Sequence, residues 1–284
     1  MTRGCLIFAH DSTIDYGSQA VLAGSLAKKH LGCNVSLVAD AQTIQSVNNK
    51  FVQLPFENII EVDRPATTNQ RLLAVDNSTK RETVSFINSN RASAYDITPY
   101  DRTLVIDSDF LIFSSELNKY WEDEHDFLIN AGMLDLAENM DPAGYSVSIN
   151  SIPMMWATNI MFSKTAETKI LFDLVEAVKQ EYLYFSQLYE FDPRQYRNDF
   201  AFSIACHVMS GHDSDQWQGI LPPPVLIKDT DQIVSINKDR MVFLVKQISA
   251  NTDWLINTVN QDIHLMNKRA LLDNFNTLIE FAND

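Results

Sequence analysis

The sequence predicts an α/β protein built on a mixed, mostly parallel central sheet with helices on its flanks. Three observations lead there. The N-terminal stretch runs apolar, then helical, then apolar; a β-branched apolar run spans Thr103–Phe113 with two aspartates inside it; and a long amphipathic stretch follows from Ala166. Strands covered on both faces read as short continuous apolar runs, and their alternation with helical segments is the pattern of βαβ units.

Taken in order, Leu6–Ala9 is a first strand and Ser18–His30 a helix. Lys28, Lys29 and His30 followed by Gly32 form the cation-then-glycine ending of a helix. Val35–Ala39 is a second strand and Asn58–Val62 a third, while the polar segment Asn69–Arg81 is expected to be loop or short helix. Pro99-Tyr100-Asp101 punctuates the chain before Thr103–Ile106, which continues past the aspartates as Phe110–Phe113 and is expected to form one buried strand. Asp135–Asn150, rich in Gly, Pro, Ser and Asn, is expected to be a mobile loop ahead of the apolar segment Met154–Phe162. From Ala166 to Tyr189, apolar residues recur at three- and four-residue spacing, as in one long amphipathic helix. Asp199–Met209 is a further helix, and Pro222-Pro223-Pro224 breaks the chain before the strand-like Val225–Ile227 and Met241–Val245.

Composition narrows the function. With 284 residues and 45% hydrophobic content the chain can bury a substantial core. The N-terminal apolar run is interrupted at His10-Asp11, too early for a signal peptide, and no stretch has the length of a membrane span, so a soluble, cytoplasmic protein without a membrane partner is expected. Cys5, Cys33 and Cys206 stand far apart, which argues against a disulfide framework and a structural zinc site. A net charge of -15 opposes extensive contact with nucleic acid, although residues 222–270 are near neutral and leave room for a local phosphate site.

Two places carry chemistry. Asp107 and Asp109 flank Ser108 within the apolar run, where unpartnered carboxylates are costly. On a continuous strand both would face one side, so one hard cation, Mn2+ or Mg2+, could engage them together with substrate phosphates. Far downstream, His264 lies four residues before Lys268; the imidazole could complete a metal shell and the ammonium neutralise a phosphate. Tyr16 and Asp199 also have structural readings: Tyr16 packing under the following helix, Asp199 as an N-cap.

The segment Tyr100-Asp101-Arg102-Thr103-Leu104-Val105-Ile106-Asp107-Ser108-Asp109 resembles the DxD region of glycosyltransferases of the GT-A fold, in particular the glycogenin-like group. Further segments follow in matching order: Arg91 resembles a basic residue near the donor phosphates, Trp156–Lys164 the central strand beside the sugar and acceptor, Arg197–Ala201 a segment carrying an acid near the sugar, and His264–Lys268 the C-terminal metal and phosphate element. The C-terminal element departs from the group in lacking its glycine and Pro-Trp pair.

The resemblance implies one GT-A-like, Rossmann-like domain over residues 1–284, with 1–113 as the nucleotide-binding half and 114–284 as the acceptor half and C-terminal element. It implies a nucleoside-diphosphate sugar, in first place a UDP-sugar, as donor, with Asp107, Asp109 and His264 as metal ligands. Ala9, His10, Asp11 and Tyr16, beyond the first strand, together with Arg91, Ser108, Asn267 and Lys268, would bind the donor. If the reaction inverts configuration, Asp199 or Asp135 would be the general base. The acceptor is open among a small molecule, a glycan and a modified DNA base; the last arises because the chain is similar to tailed-phage proteins of this fold.

Three other readings compete. An apolar strand with DxD also resembles haloacid-dehalogenase-like phosphatases, but those carry it on the first strand. A nucleotidyltransferase would need a glycine-rich basic loop after the first strand, and His10–Gly17 has one glycine and no Lys or Arg. A non-catalytic sugar-nucleotide-binding protein would keep the same residues.

Overall fold

The computed structural model describes residues 1–66, 69–74, 81–87, 91–136, 145–149, 151–213, 216–238, 240–247 and 252–284. The N-terminal unit follows the sequence pattern. β1 (Arg3–Ala9) leads to α1 (Tyr16–Leu31), which starts where the Asp15 carboxylate accepts the Ser18 N–H at 3.0 Å. It ends at Gly32, whose φ of 61° is open to a residue without Cβ and lets its N–H reach the Lys28 carbonyl. β2 (Asn34–Ala39), α2 (Ala41–Lys50) and β3 (Asn58–Glu61) complete the unit.

The polar segment expected to be loop or short helix instead forms an antiparallel ribbon, β4 (Asn69–Ala74) with β5 (Arg81–Phe86). A ribbon outside the central sheet needs no continuous apolar run, so its polarity hid it; residues 75–80 lie outside the described residues. α3 (Ala94–Ile97) then precedes β6 (Arg102–Asp107). Here the structure corrects a second expectation. β6 stops at Asp107, Ser108 and Asp109 form a turn, and β7 (Phe110–Leu111) belongs to a different sheet. One apolar run thus supplies two strands, because both sheets bury their strands fully and periodicity cannot separate them.

β8 (Phe127–Asn130) and β9 (Leu134–Asp135) precede β10 (Trp156–Ser163). Of the expected mobile loop at 135–150, Asp135 lies in β9 and Ser146 bridges Pro153, whereas 137–144 and 150 lie outside the described residues. The long amphipathic stretch is two helices, α4 (Ala166–Gln180) and α5 (Tyr182–Leu188), parted at Glu181, whose φ of -103° and ψ of 33° leave the helical region. Its apolar spacing continues across the break, so periodicity alone does not mark it. There follow α6 (Asn198–Met209), β11 (Gly219–Leu221), β12 (Val225–Ile227), β13 (Gln232–Asn237), β14 (Arg240–Gln247), β15 (Thr252–Val259), β16 (Ile263–Leu265), α7 (Lys268–Asp273) and α8 (Phe275–Asn283).

The central sheet has the order β11-β8-β10-β6-β1-β2-β3 and is parallel except for β10, which pairs antiparallel with both neighbours. Alternation along its strands divides the core into two layers. Cys5, Ile7, Leu104 and Ile106 pack with the α1 side, while Leu6 and Val105 pack with α4 and α6. Truncating one of these side chains, as in Leu104→Ala, costs about 2 to 5 kcal/mol. β2 and β3 lie to one side of β1 and β6 to the other, so the strand order reverses between β1 and β6, the place where open α/β sheets leave a crevice at the carboxyl ends of their strands. A second sheet, β7-β16-β12-β9, stands beside that crevice. Among the described residues no helix is long and apolar enough to cross a membrane.

Candidate active site

β1 and β6 run in register with Phe8 opposite Asp107, so both strands end at the crevice. The turn at Ser108-Asp109 hands the chain to β7, which pairs antiparallel with β16 and sets His264 opposite Phe110. The Leu265 N–H donates to the Asp109 carbonyl at 3.0 Å and locks this register. The sheet switch, rather than alternation along one strand, is what gathers the two aspartates and the histidine.

His264 Nε2 lies 3.4 Å from Asp109 Oδ1 and 4.0 Å from Asp107 Oδ2. One ligand atom from each of the three lies within 4.8 Å of the others. The second oxygen of each carboxylate faces a cation: Asp107 Oδ1 accepts from the Arg91 guanidinium, which also donates to the Ala157 carbonyl, and Asp109 Oδ2 pairs with the Lys268 ammonium. Lys268 donates as well to the Leu265 carbonyl at 3.1 Å. Asp109, His264 and Lys268 are 6%, 7% and 3% exposed, so charge here must be balanced locally.

Thr158 Oγ1 stands 3.3 Å from His264 Nδ1. A proton on Nδ1 donated to that hydroxyl leaves the Nε2 lone pair toward the two carboxylates, the arrangement that orients a metal-binding imidazole. Two carboxylate oxygens and one imidazole nitrogen suit Mn2+ or Mg2+, with further positions for phosphate oxygens. The residues fit such an ion.

A cavity of about 580 Å³ spreads from this cluster and is lined by Ala9, His10, Tyr16, Arg91, Ser108, Asp199 and Lys268 among the expected residues. His10 Nδ1 lies 2.8 Å from Asp40 Oδ2, and Asp40 also takes Arg64 at 2.9 Å and caps α2 through the Thr43 N–H at 3.1 Å. Burial alone would raise the Asp40 carboxyl, but the hydrogen bonds from His10 and Thr43 and the Arg64 charge outweigh it and hold it below the usual carboxylate range. Asp199 sits within the first turn of α6 and does not cap it; its Oδ1 accepts the Ala157 N–H at 2.9 Å and its Oδ2 accepts from Arg197 at 2.9 Å.

Three expected residues do not line this cavity. The Asp11 carboxylate accepts the Gly17 N–H at 2.7 Å and so closes the β1–α1 loop. Asp135 is paired with Lys228. Asn267 caps α7 through the Ala270 N–H at 3.0 Å and donates to the Asp231 carbonyl at 2.7 Å. Conversely, Thr158, Arg197, Gln195, Lys228 and the supporting Asp40 were not singled out from the sequence. Asp40 had a signal, an aspartate placed between a strand and a helix; Thr158 and Arg197 lie in segments matched by resemblance without being named for a role, and Gln195 and Lys228 carry no local signal.

No family model matches this sequence, and no curated protein matches it. Among solved structures the chain is similar to the glycosyltransferase GlyE of Streptococcus pneumoniae TIGR4, at 11% identity over 78% of this chain and 45% of that one, with a TM-score of 0.44. It thus spans less than half of the GlyE chain. It is also similar to the galactosyltransferase LgtC in complex with donor and acceptor sugar analogs, at 14% identity over 70% of this chain and 68% of that one, with a TM-score of 0.42. An active-site mutant of LgtC gives 16% identity, 71% and 69% coverage and a TM-score of 0.45.

Proposed function

We propose that the chain is a metal-dependent glycosyltransferase of GT-A type that moves a sugar from a nucleoside-diphosphate sugar, in first place a UDP-sugar, to a hydroxyl acceptor. The single observation that carries this reading is the split of the two carboxylates: one oxygen of each aspartate faces His264 Nε2 and the other a buried cation. Negative and positive groups are thereby placed side by side at the carboxyl ends of β1 and β6, as capture of an anion together with a divalent cation requires. The order of sequence segments that resembles the glycogenin-like group supports the same reading.

The slow step to be assisted is departure of a nucleoside diphosphate from the anomeric carbon. Asp107, Asp109 and His264 would hold Mn2+ or Mg2+, which when bound supplies Lewis-acid stabilisation of charge on the leaving diphosphate. Lys268 and Arg91 add fixed positive charge at the same place, and their burial makes that charge worth more than in water. His10 and Tyr16 lie at the β1 end of the cavity, where the nucleoside would rest. Asp199, in the lining of the same cavity and held by the Ala157 N–H and Arg197, would accept the hydroxyl proton if configuration inverts. Asp135, held by Lys228, is the weaker choice for that role.

The test is donor hydrolysis. Wild-type protein with Mn2+ should release UDP slowly from UDP-glucose or UDP-galactose, stop with EDTA, and lose the release in Asp109→Asn. Affinity without release would mark a binding protein, release of inorganic phosphate a phosphoryl-transfer enzyme, and undiminished turnover in Asp109→Asn would defeat the assignment.

A further inference from the structure

The three-stranded sheet β13-β14-β15 ends in an open edge. β15 runs in unbroken register with β14 over eight residues, and none of its backbone groups bonds a described element other than β14. An open strand edge is a template for another strand, and soluble proteins blunt such edges with short strands, bulges, prolines or lysines. The other edges of the three larger sheets follow that rule. β3 has four residues, β11 has three and runs into Pro222-Pro223-Pro224, β7 and β9 have two each, and β13 shifts register between Ile233 and Ser235. β15 has none of these devices. It contains no Lys, Arg or Pro, and it leaves Leu255 68% and Trp254 45% exposed.

The strand is complementary to itself. Antiparallel pairing about Leu255 sets Leu255 opposite the partner's Leu255, Trp254 opposite the partner's Ile256 and Asp253 opposite the partner's Asn257. Odd residues meet odd and even meet even, so the outward-pointing backbone groups of the two strands face each other and every side chain keeps its own face of the joined sheet. Apolar pairs, aromatic with β-branched pairs and carboxylate with amide pairs are favourable across strands, and no like charges stand opposite. Thr258 is buried, so the ladder ends at Asn257. Charge singles out the same place. The chain carries -15, which pushes two copies apart, but residues 232–259 hold Lys238, Arg240 and Lys246 against Asp239 and Asp253. A second copy can approach this sheet without setting an acidic surface against an acidic surface.

We propose that β15 is a self-association edge: it pairs with β15 of a second copy about a twofold axis at Leu255 and joins two three-stranded sheets into one of six strands. Five residues on each copy span about 17 Å, an interface at the small end of specific ones, so the dimer is weak, with a Kd of about 10 to 100 µM. No residue of β13, β14 or β15 lines the cavity at Asp107, Asp109 and His264, so the proposal stands apart from the transferase reading.

Sedimentation velocity of the full chain over concentrations from about 5 to 300 µM, bracketing that Kd, is the test. The wild-type sedimentation coefficient should rise with concentration toward that of a dimer, and rise further at high salt, where the general acidic repulsion is screened. Leu255→Lys sets like charges directly opposite, and Asn257→Asp faces the partner's Asp253; each should weaken association on the order of tenfold. Both positions are exposed, so the fold tolerates either change, and the two variants serve as independent checks. Adding Asp253→Asn to Asn257→Asp exchanges carboxylate and amide across the same pairs and should restore association to within about threefold of wild type. A monomer at every concentration, association that neither single variant weakens, or failure of the double variant to restore it would each overturn the proposal.

Discussion

Lys268 and His264 take opposite oxygens of the Asp109 carboxylate, the ammonium on Oδ2 and imidazole Nε2 at 3.4 Å from Oδ1. Asp109 is thereby a buried counter-ion to Lys268 and, on the proposed function, would also be a metal ligand, so removing its charge has two separable consequences.

Asp109→Asn should weaken Mn2+ binding by more than about 100-fold, because a neutral amide is a poor ligand for a hard cation. It also strands the Lys268 ammonium, 3% exposed, at a cost of about 3 kcal/mol. The double variant Asp109→Asn with Lys268→Met should recover most of that stability without recovering metal affinity. Chemical denaturation and Mn2+ titration of the three proteins separate the effects; parallel loss and recovery of both quantities would contradict the division of the two oxygens.

Thr158→Val keeps shape but deletes the oxygen 3.3 Å from His264 Nδ1. With the imidazole no longer oriented, Mn2+ affinity should fall about tenfold with little change in melting temperature. Titration followed by Mn2+ paramagnetism would show this, and unchanged affinity would mean that Thr158 does not orient His264.

Asp40→Asn should preserve α2, since asparagine caps as well as aspartate, but weaken the hold on His10 Nδ1. The expected result is a donor KM raised about fivefold with kcat nearly unchanged, because on the proposed function His10 would hold the donor without touching the reacting bond. A fall in kcat at constant KM would place His10 in the chemistry instead.

Asp262 gives a pH dependence of stability. Burial pushes its carboxyl up to about 6, although the Ser114 and Phe113 N–H groups, each at 2.9 Å, pull it down. Because the folded-state value lies above the unfolded 3.8, its favourable contribution is complete below about pH 4 and is lost as pH rises through about 6. Asp262→Asn keeps an acceptor for both N–H groups and should raise stability above that window by on the order of 2 kcal/mol. Urea midpoints measured across the window check this; a slope as steep as in wild type would contradict it. Asp231, also pushed up to about 6 mainly by burial, should leave a residual slope of the same sign.

Local pattern made the first unit legible: the β1 and β2 runs are apolar because both faces are covered, and Gly32 declares the end of α1. The three residues of the candidate metal group were also legible, because two acids in an apolar run and a histidine four residues before a lysine are chemically conspicuous. Their mode of assembly was not. The switch from β6 to β7 leaves no trace in hydrophobicity when both strands are buried, and only the pairing of β7 with β16 reveals it. Asp11 and Asn267 have residue types equally suited to ligands and to caps, and the structure uses their side chains to close a loop and start a helix. β4 and β5 escaped notice because the segment from Asn69 to Arg81 reads as polar and the ribbon lies outside the central sheet.

The most direct measurement of the central claim is anomalous diffraction from a crystal soaked with Mn2+ and UDP. The account predicts one manganese peak bonded to Asp107, Asp109 and His264, with the diphosphate bound at that metal. A well-ordered nucleotide with no manganese at these three residues, or manganese bound only elsewhere, would contradict it.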